Sequence, residues 1–135
     1  MIPFNEIKMG DYVTAAYEGS RRNGEVIEIN RDDKQVCVET DVQEFWYEPE
    51  DLYPIAISDE EMLKLNFTKE VMNDGVVKYK KGAFRLVIPK ENDFSSMEMW
   101  YREDRRDNPH ALYIHQLQNH YHEMTKVHLT NAVMA

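Results

Sequence analysis

The chain has 135 residues, of which 42% are hydrophobic and 30% are charged, a balance that favours a folded protein and excludes a disordered one. Its formal net charge of −9 opposes binding to DNA, RNA and anionic lipid surfaces. Its single cysteine, Cys37, excludes an internal disulfide and a cysteine-based metal cluster.

Residues 1–57 consist of short alternating segments separated by turns, a pattern typical of an all-β module. The expected strands cover 11–18, 25–30, 35–40 and 43–47, and a closing strand follows the acidic turn at 48–51. A turn is predicted over 18–24, in which Asn23-Gly24 supplies positive φ angles at low cost. This order of turn glycine, alternating strands and acidic turn predicts an SH3-like β-barrel.

The following segment begins with a helix signal and continues with strands. Ser58 and Glu61 form a capping box, which predicts the start of a short helix. Further strands are expected over 67–72, 76–80, 83–88 and 96–102. The highly charged residues 102–109 are expected to form a loop.

The last part of the chain changes to helical periodicity. Ile114, Leu117, Tyr121, Met124 and His128 follow 3-4-3-4 spacing, so an amphipathic helix is predicted over 113–125, with residues 130–135 expected to fray. The predicted fold is therefore α+β. Residues 1–57 form an SH3-like barrel packed on a C-terminal antiparallel sheet, and residues 58–135 form an α+β module whose final helix covers that sheet.

No apolar run approaches the roughly 18 residues of a membrane span. The first residues, 1–6, lack the basic and apolar regions of a secretion signal. A single cysteine also fits a reducing compartment. We therefore predict a cytoplasmic protein with no membrane partner.

The final helix carries a resemblance to a group of small proteins from Bacteroidetes genomes and their phages. Residues 113–121 read Tyr-Ile-His-Gln-Leu-Gln-Asn-His-Tyr, which resembles the Tyr-Val-His-x-Leu-Gln-Asn-x-Tyr helix that ends proteins of this group. The preceding Leu63–Phe67 segment and the Gly-Asp-Tyr-Val of residues 10–13 are also similar to the group. The resemblance implies an SH3-like barrel followed by a strand-rich segment, and an origin in a bacterium, its phage or a mobile element. The group has no established activity to transfer.

Aromatic and acidic residues of the first 57 positions form the predicted partner-binding surface. This segment carries five Lys/Arg against 13 Asp/Glu. SH3-like barrels bind extended peptides on aromatic surfaces, and neighbouring carboxylates favour a basic partner. The candidate partner-binding residues are Tyr12, Tyr17, Trp46, Tyr53, Glu48 and Glu50. The alternative is that the rings fill the core and the acidic residues form a solvated rim.

The histidines cluster late in the chain, but their spacing does not predict a metal site. His115 and His122 are separated by about 10.5 Å along a helix, which is too far for both to hold one ion. His115, Gln118 and Asn119 form a polar flank. They are interpreted either as a weak ligand-binding site or as side chains that satisfy neighbouring backbone groups. No metal ion or other cofactor is predicted.

The chain contains neither a nucleophile motif nor a phosphate-binding glycine loop, so an enzyme is not predicted. The predicted function is a non-enzymatic protein-interaction (accessory) protein of a bacterium or its phage. One alternative is a nucleic-acid-associated accessory protein, which the negative charge opposes. The other is a small-ligand-binding protein or enzyme that uses His115, Gln118 and Asn119.

Overall fold

The computed structural model describes residues 1–130, so the fraying expected at the end of the chain lies almost entirely outside the described residues. Within them the fold is α+β, as predicted, and consists of two antiparallel five-stranded sheets and one main helix. The strands are β1 (Tyr12–Tyr17), β2 (Ser20–Asn30), β3 (Gln35–Thr40), β4 (Glu44–Tyr47), β5 (Leu52–Tyr53), β6 (Thr68–Val71), β7 (Val77–Lys81), β8 (Phe84–Ile88), β9 (Met97–Tyr101) and β10 (Asp104–Asn108). The helices are α1 (Asp59–Lys64) and α2 (Ile114–Thr125), and short 3-10 turns cover Phe4–Glu6 and Pro49–Asp51.

The chain divides into two compact units. The first contains Met1–Ile55 together with Tyr113–Asn119, and the second contains Ala56–Leu112 and the residues from His120 onward. The α2 helix therefore contributes its first turns to the first unit and its remaining turns to the second.

The first sheet has the strand order β4-β3-β2-β1-β5. No pairing between β4 and β5 closes it within the described residues, so the predicted closed barrel is not confirmed. Alternate residues of each strand point to the same side of the sheet, and those on one side are mainly apolar. The core built on that face consists of Ile2, Ile7, Val13, Ala15, Val26, Val36, Val38, Tyr47 and Leu52.

The turn predicted over residues 18–24 is confined to the first two of these residues, and the role predicted for Asn23-Gly24 is wrong. The chain reverses at Glu18-Gly19, whose φ angles are 48° and 81°, and Asn23-Gly24 lies inside β2. Gly24 packs against the neighbouring β3, where a Cβ atom would lie 2.5 Å from the Glu39 carbonyl oxygen. The glycine is therefore needed for close strand packing, and the turn formed at the other available glycine.

The second sheet has the order β10-β9-β8-β7-β6. The loop predicted over 102–109 is also wrong, because Asp104–Asn108 pairs with β9 after a tight turn at Arg102, whose φ is 57°. Ion pairs account for this strand: Arg105 contacts Glu98 of β9 at 3.4 Å and Asp107 of its own strand at 2.9 Å. Pairing of its charged side chains allows a polar segment to complete a sheet edge.

Local helix signals are confirmed. The Ser58 hydroxyl accepts a hydrogen bond from the Glu61 N–H at 3.2 Å and caps α1. In α2, Ile114 and Leu117 are buried in the first unit, and Tyr121 packs on Phe84 in the second with ring centroids 4.8 Å apart. The predicted stripe ends there, since α2 ends at Thr125 and His128 is exposed. None of the helices within residues 1–130 has the length and apolarity needed to cross a membrane.

Candidate functional site

The outer face of the first sheet, opposite its apolar core, carries a row of glutamates. Strand register places Glu25 opposite Glu39, and Glu39 opposite Glu44, so one row crosses β2, β3 and β4. The next row places Cys37 between Glu28 and Trp46. Because cross-strand partners share a face of the sheet, these side chains form one surface. We define Glu25, Glu28, Glu39, Glu44 and Trp46 as the acidic face.

The negative charges of the acidic face are not neutralised within the described chain. None of its four glutamates forms an ion pair or a side-chain hydrogen bond with any residue of 1–130. Like charges placed directly opposite each other destabilise a sheet. The acidic face therefore holds an unfavourable charge arrangement in the free protein.

Glu39 and Glu44 form a directly opposed pair of β3 and β4. The Thr40 N–H donates to the Gln43 carbonyl at 3.0 Å, which makes Thr40 and Gln43 a hydrogen-bonded pair. The next pair, Glu39 with Glu44, is consequently of the non-hydrogen-bonded type, in which side chains approach more closely.

Burial and, to a smaller extent, this charge raise two pKa values on the acidic face. The pKa of Glu25 is raised, first by desolvation and then by the neighbouring Glu39. The pKa of the Cys37 thiol is raised by desolvation and then by three glutamates of the face, Glu44, Glu28 and Glu39. The ionised form of Cys37 is disfavoured there, so the thiol is not an activated nucleophile.

The structure divides the predicted aromatic residues between the two sides of the sheet. Trp46 is 39% exposed on the acidic face, and Tyr12 lies half-buried in the same row as Glu25. Tyr53 is on the same side but at the far edge, where the Arg21 guanidinium lies 4.2 Å from its ring centroid. Tyr17 follows Val13 and Ala15 and therefore points to the opposite, inner side.

The predicted acidic residues Glu48 and Glu50 lie outside the acidic face. The Gln35 side-chain amide donates to Glu48 at 3.1 Å, and Glu50 is exposed in the 3-10 turn. Sequence reasoning missed Glu25, Glu28 and Glu39. Alternation along the predicted strands 25–30 and 35–40 was the available signal, although the row becomes visible only once the strand register is known.

On the inner side, an aromatic cluster lies at the end of the sheet. The ring centroids of Tyr17 and Phe45 are 4.8 Å apart, and those of Phe45 and Tyr47 are 5.4 Å apart. A cavity of about 190 Å³ lies beside Tyr17, Val42 and Tyr47. Its rim carries both signs of charge, because it is also lined by Glu18 and Arg22.

Side chains on the polar flank of α2 hydrogen-bond to backbone groups near the start of the first unit. Gln118 Oε1 accepts from the Tyr12 N–H, and Gln118 Nε2 donates to the Gly10 carbonyl, both at 2.8 Å. Asn119 donates to the Glu6 carbonyl at 3.5 Å. These contacts correspond to the interpretation in which the amides satisfy neighbouring backbone groups.

His115 is buried and lies with Nε2 3.1 Å from a Glu6 carboxylate oxygen. Its Nδ1 atom is buried and has no hydrogen-bond partner among residues 1–130. Those residues contain no group of three or more His, Cys, Asp or Glu side chains placed to hold a metal ion.

Asp11 is a further buried acidic group in the first unit. Its carboxylate accepts from the Lys8 N–H at 2.9 Å, and its side chain is almost fully buried. Desolvation raises its pKa from 3.8 to about 7, against the smaller lowering effects of the Lys8 hydrogen bond and charge.

The outer face of the second sheet carries Trp100 between two guanidinium groups. Arg85 and Arg105 each lie 5.5 Å from the Trp100 ring centroid, and the indole N–H donates to Glu98 at 3.1 Å. The charges of this face are largely engaged, because Arg105 also contacts Glu98 and Asp107.

Comparison of the chain with models of known protein families and with curated proteins found no match.

Proposed function

We propose that the chain is a non-enzymatic protein-interaction module that binds a positively charged protein partner through the acidic face. The resemblance of the α2 sequence supports a role as an accessory protein of a bacterium or its phage, acting in the cytoplasm. The strand order of the first sheet, in which β5 lies beside β1, supports its description as SH3-like.

The observation that carries the proposal is the row of unpaired glutamates beside an exposed indole. A cation placed between Glu39 and Glu44 removes their mutual repulsion, so binding relieves a cost present in the free protein. Trp46 adds a large apolar ring whose face attracts Lys or Arg. Charge complementarity of this kind mainly sets specificity and the association rate.

The same charges argue against the alternative functions. Nucleic acid is repelled by the acidic face, since its affinity depends on phosphate neutralisation by Lys and Arg. A ligand site on α2 has less support, because the Gln118 amide already hydrogen-bonds to the backbone of residues 10 and 12.

The test is calorimetric titration with a short synthetic peptide in which lysine and threonine alternate. We expect binding at low ionic strength, weakening with added salt. The double variant Glu39→Gln/Glu44→Gln should weaken the affinity about tenfold, because two charge contacts are lost.

The matched control is Glu98→Gln/Glu103→Gln, which removes two carboxylates from the second sheet region and should leave the affinity unchanged. A peptide in which glutamate replaces lysine should not bind. The proposal fails if the lysine peptide does not bind, or if both double variants weaken it equally.

A further inference from the structure

The β4 strand forms an edge of the first sheet with free backbone groups. It pairs with β3 on one side, and no described strand pairs on the other. In the non-hydrogen-bonded pairs of β3 and β4, Glu44 and Trp46 direct their N–H and C=O groups away from β3. No described backbone group pairs with them at that edge.

The other sheet edges are protected in the usual ways. The β5 edge is only two residues long, while β6 contains Lys69 and β10 contains Arg105 and Arg106. Short length and Lys-type charges are devices that discourage strand addition. The sequence of β4, Glu-Phe-Trp-Tyr, has neither Lys, Arg nor Pro.

The side chains of β4 offer contacts on both sides of the edge. Trp46 is 39% exposed on the acidic face, and Phe45 is 38% exposed on the inner side, where it packs on Tyr17. A strand lying along β4 would therefore have side chains to contact above and below its backbone.

We propose that the partner segment is an extended, basic strand that adds antiparallel to β4. This inference rests on the proposed function and specifies how the partner binds. Lysine or arginine at alternate positions lies on the acidic face beside Glu44 and Trp46. The intervening, uncharged side chains lie on the inner side beside Phe45. Backbone hydrogen bonds supply affinity, and the alternate charges supply specificity.

Charge complementarity selects a basic strand over a second copy of this chain. Antiparallel pairing of two β4 strands would bring two acidic faces side by side, with Glu44 of both copies in one continuous surface. The formal net charge of −9 per chain adds to that repulsion.

The experiment compares three versions of the alternating lysine–threonine peptide: unmodified, N-methylated at the lysines and N-methylated at the threonines. Successive residues of a strand direct their N–H groups to opposite edges, so each methylated series blocks one edge. In the antiparallel arrangement the lysine amides face β4. Lysine methylation should therefore weaken binding at least about tenfold, while threonine methylation should leave it unchanged.

Amide hydrogen exchange supplies a second readout on the protein itself. The Glu44 and Trp46 amides should become protected in the complex with the unmodified peptide. The Phe45 amide points toward β3 and serves as the matched control, since its exchange should not change.

The outcomes separate the two proposals. Loss of affinity with threonine methylation alone would retain strand addition but overturn the antiparallel orientation. Equal affinity of all three peptides, equal loss with both methylated series, or unprotected Glu44 and Trp46 amides would overturn strand addition, while binding to the acidic face would stand. Absence of binding by the unmodified peptide would overturn both.

Discussion

Both sheets are antiparallel and five-stranded, and each has a tryptophan on its outer face. The two outer faces differ in whether the charged side chains around that tryptophan have partners. Trp100 in the second sheet lies between Arg85 and Arg105, and its indole N–H is bound to Glu98. Trp46 in the first sheet lies beside glutamates that have no ion pair within residues 1–130. Most charged groups around Trp100 are therefore engaged within residues 1–130, whereas the glutamates of the acidic face are not.

The carboxyl groups with shifted pKa values follow the same division. In the first unit the pKa values of Asp11 and Glu25 are raised, chiefly by desolvation. In the second unit those of Asp59, Glu70 and Asp93 are lowered, chiefly by hydrogen bonds from Tyr79, Lys80 and Ser95, respectively. Ionisation of these carboxyl groups therefore lowers the stability of the first unit and raises the stability of the second.

The largest expected effect is the pH dependence introduced by Asp11. Its pKa in the fold is about 7, above its ordinary value of 3.8, so its stabilising contribution is complete below that ordinary value and lost as pH rises through 7. Asp11→Asn keeps an acceptor for the Lys8 N–H but cannot ionise. Between about pH 4 and pH 8 the variant should gain on the order of 3 kcal/mol relative to the unmodified chain, measured by urea unfolding.

The control for this prediction is Asp93→Asn in the second unit. The pKa of Asp93 is lowered by the Ser95 hydroxyl and N–H, so its contribution is present above its ordinary value and lost as pH falls. This variant should be less stable than the unmodified chain at neutral pH, with the difference shrinking in acid. If both variants respond to pH in the same direction, the contrast between the units is wrong.

A smaller effect distinguishes the two tryptophans. Trp100→Phe removes the hydrogen bond to Glu98 and weakens two cation–π contacts, so it should cost roughly 1 kcal/mol of unfolding free energy. Trp46→Phe should stay within about 0.5 kcal/mol, as for most exposed sites. Thermal unfolding followed by circular dichroism measures both, and equal losses would contradict the description of Trp100 as the tryptophan held by charged neighbours within the chain.

The smallest effect reverses sign between the faces. Glu39→Gln should stabilise the free protein by about 0.2–1 kcal/mol, because it removes the repulsion between residue 39 and its two cross-strand glutamate neighbours. Glu98→Gln should destabilise it by roughly 0.5 kcal/mol, because it weakens the pair with Arg105. Added salt should reduce both changes. A destabilising Glu39→Gln would show that the acidic face is not under charge repulsion.

Features encoded in a few adjacent residues could be predicted from the sequence. The capping box at Ser58 depends on atoms three residues apart, and the α2 stripe depends on helical spacing alone. The exact position of the turn near residue 18 could not be predicted. Two glycine signals competed, and packing of Gly24 against β3 decided between them.

The candidate site was only partly predictable for the same reason. Exposure of Trp46 follows from its place in a run of three consecutive aromatic residues, which cannot all point to the buried face of one sheet. The glutamate row depends on the register of three strands, including the shift between Val26 and Glu28 that brings Glu28 opposite Cys37. Such a shift is a product of tertiary packing and leaves no local signal.

The division of α2 has a consequence for the order of events during synthesis. The Tyr12 N–H donates to Gln118, which lies 106 residues later in the chain, and the Ile55 carbonyl accepts from the Ile114 N–H. Neither hydrogen bond can form before the later residue has been synthesised. The β-strands of the first unit leave the ribosome long before the segment 113–119 that completes it. Its final packing is therefore a late step, reached only when nearly the whole polypeptide has emerged.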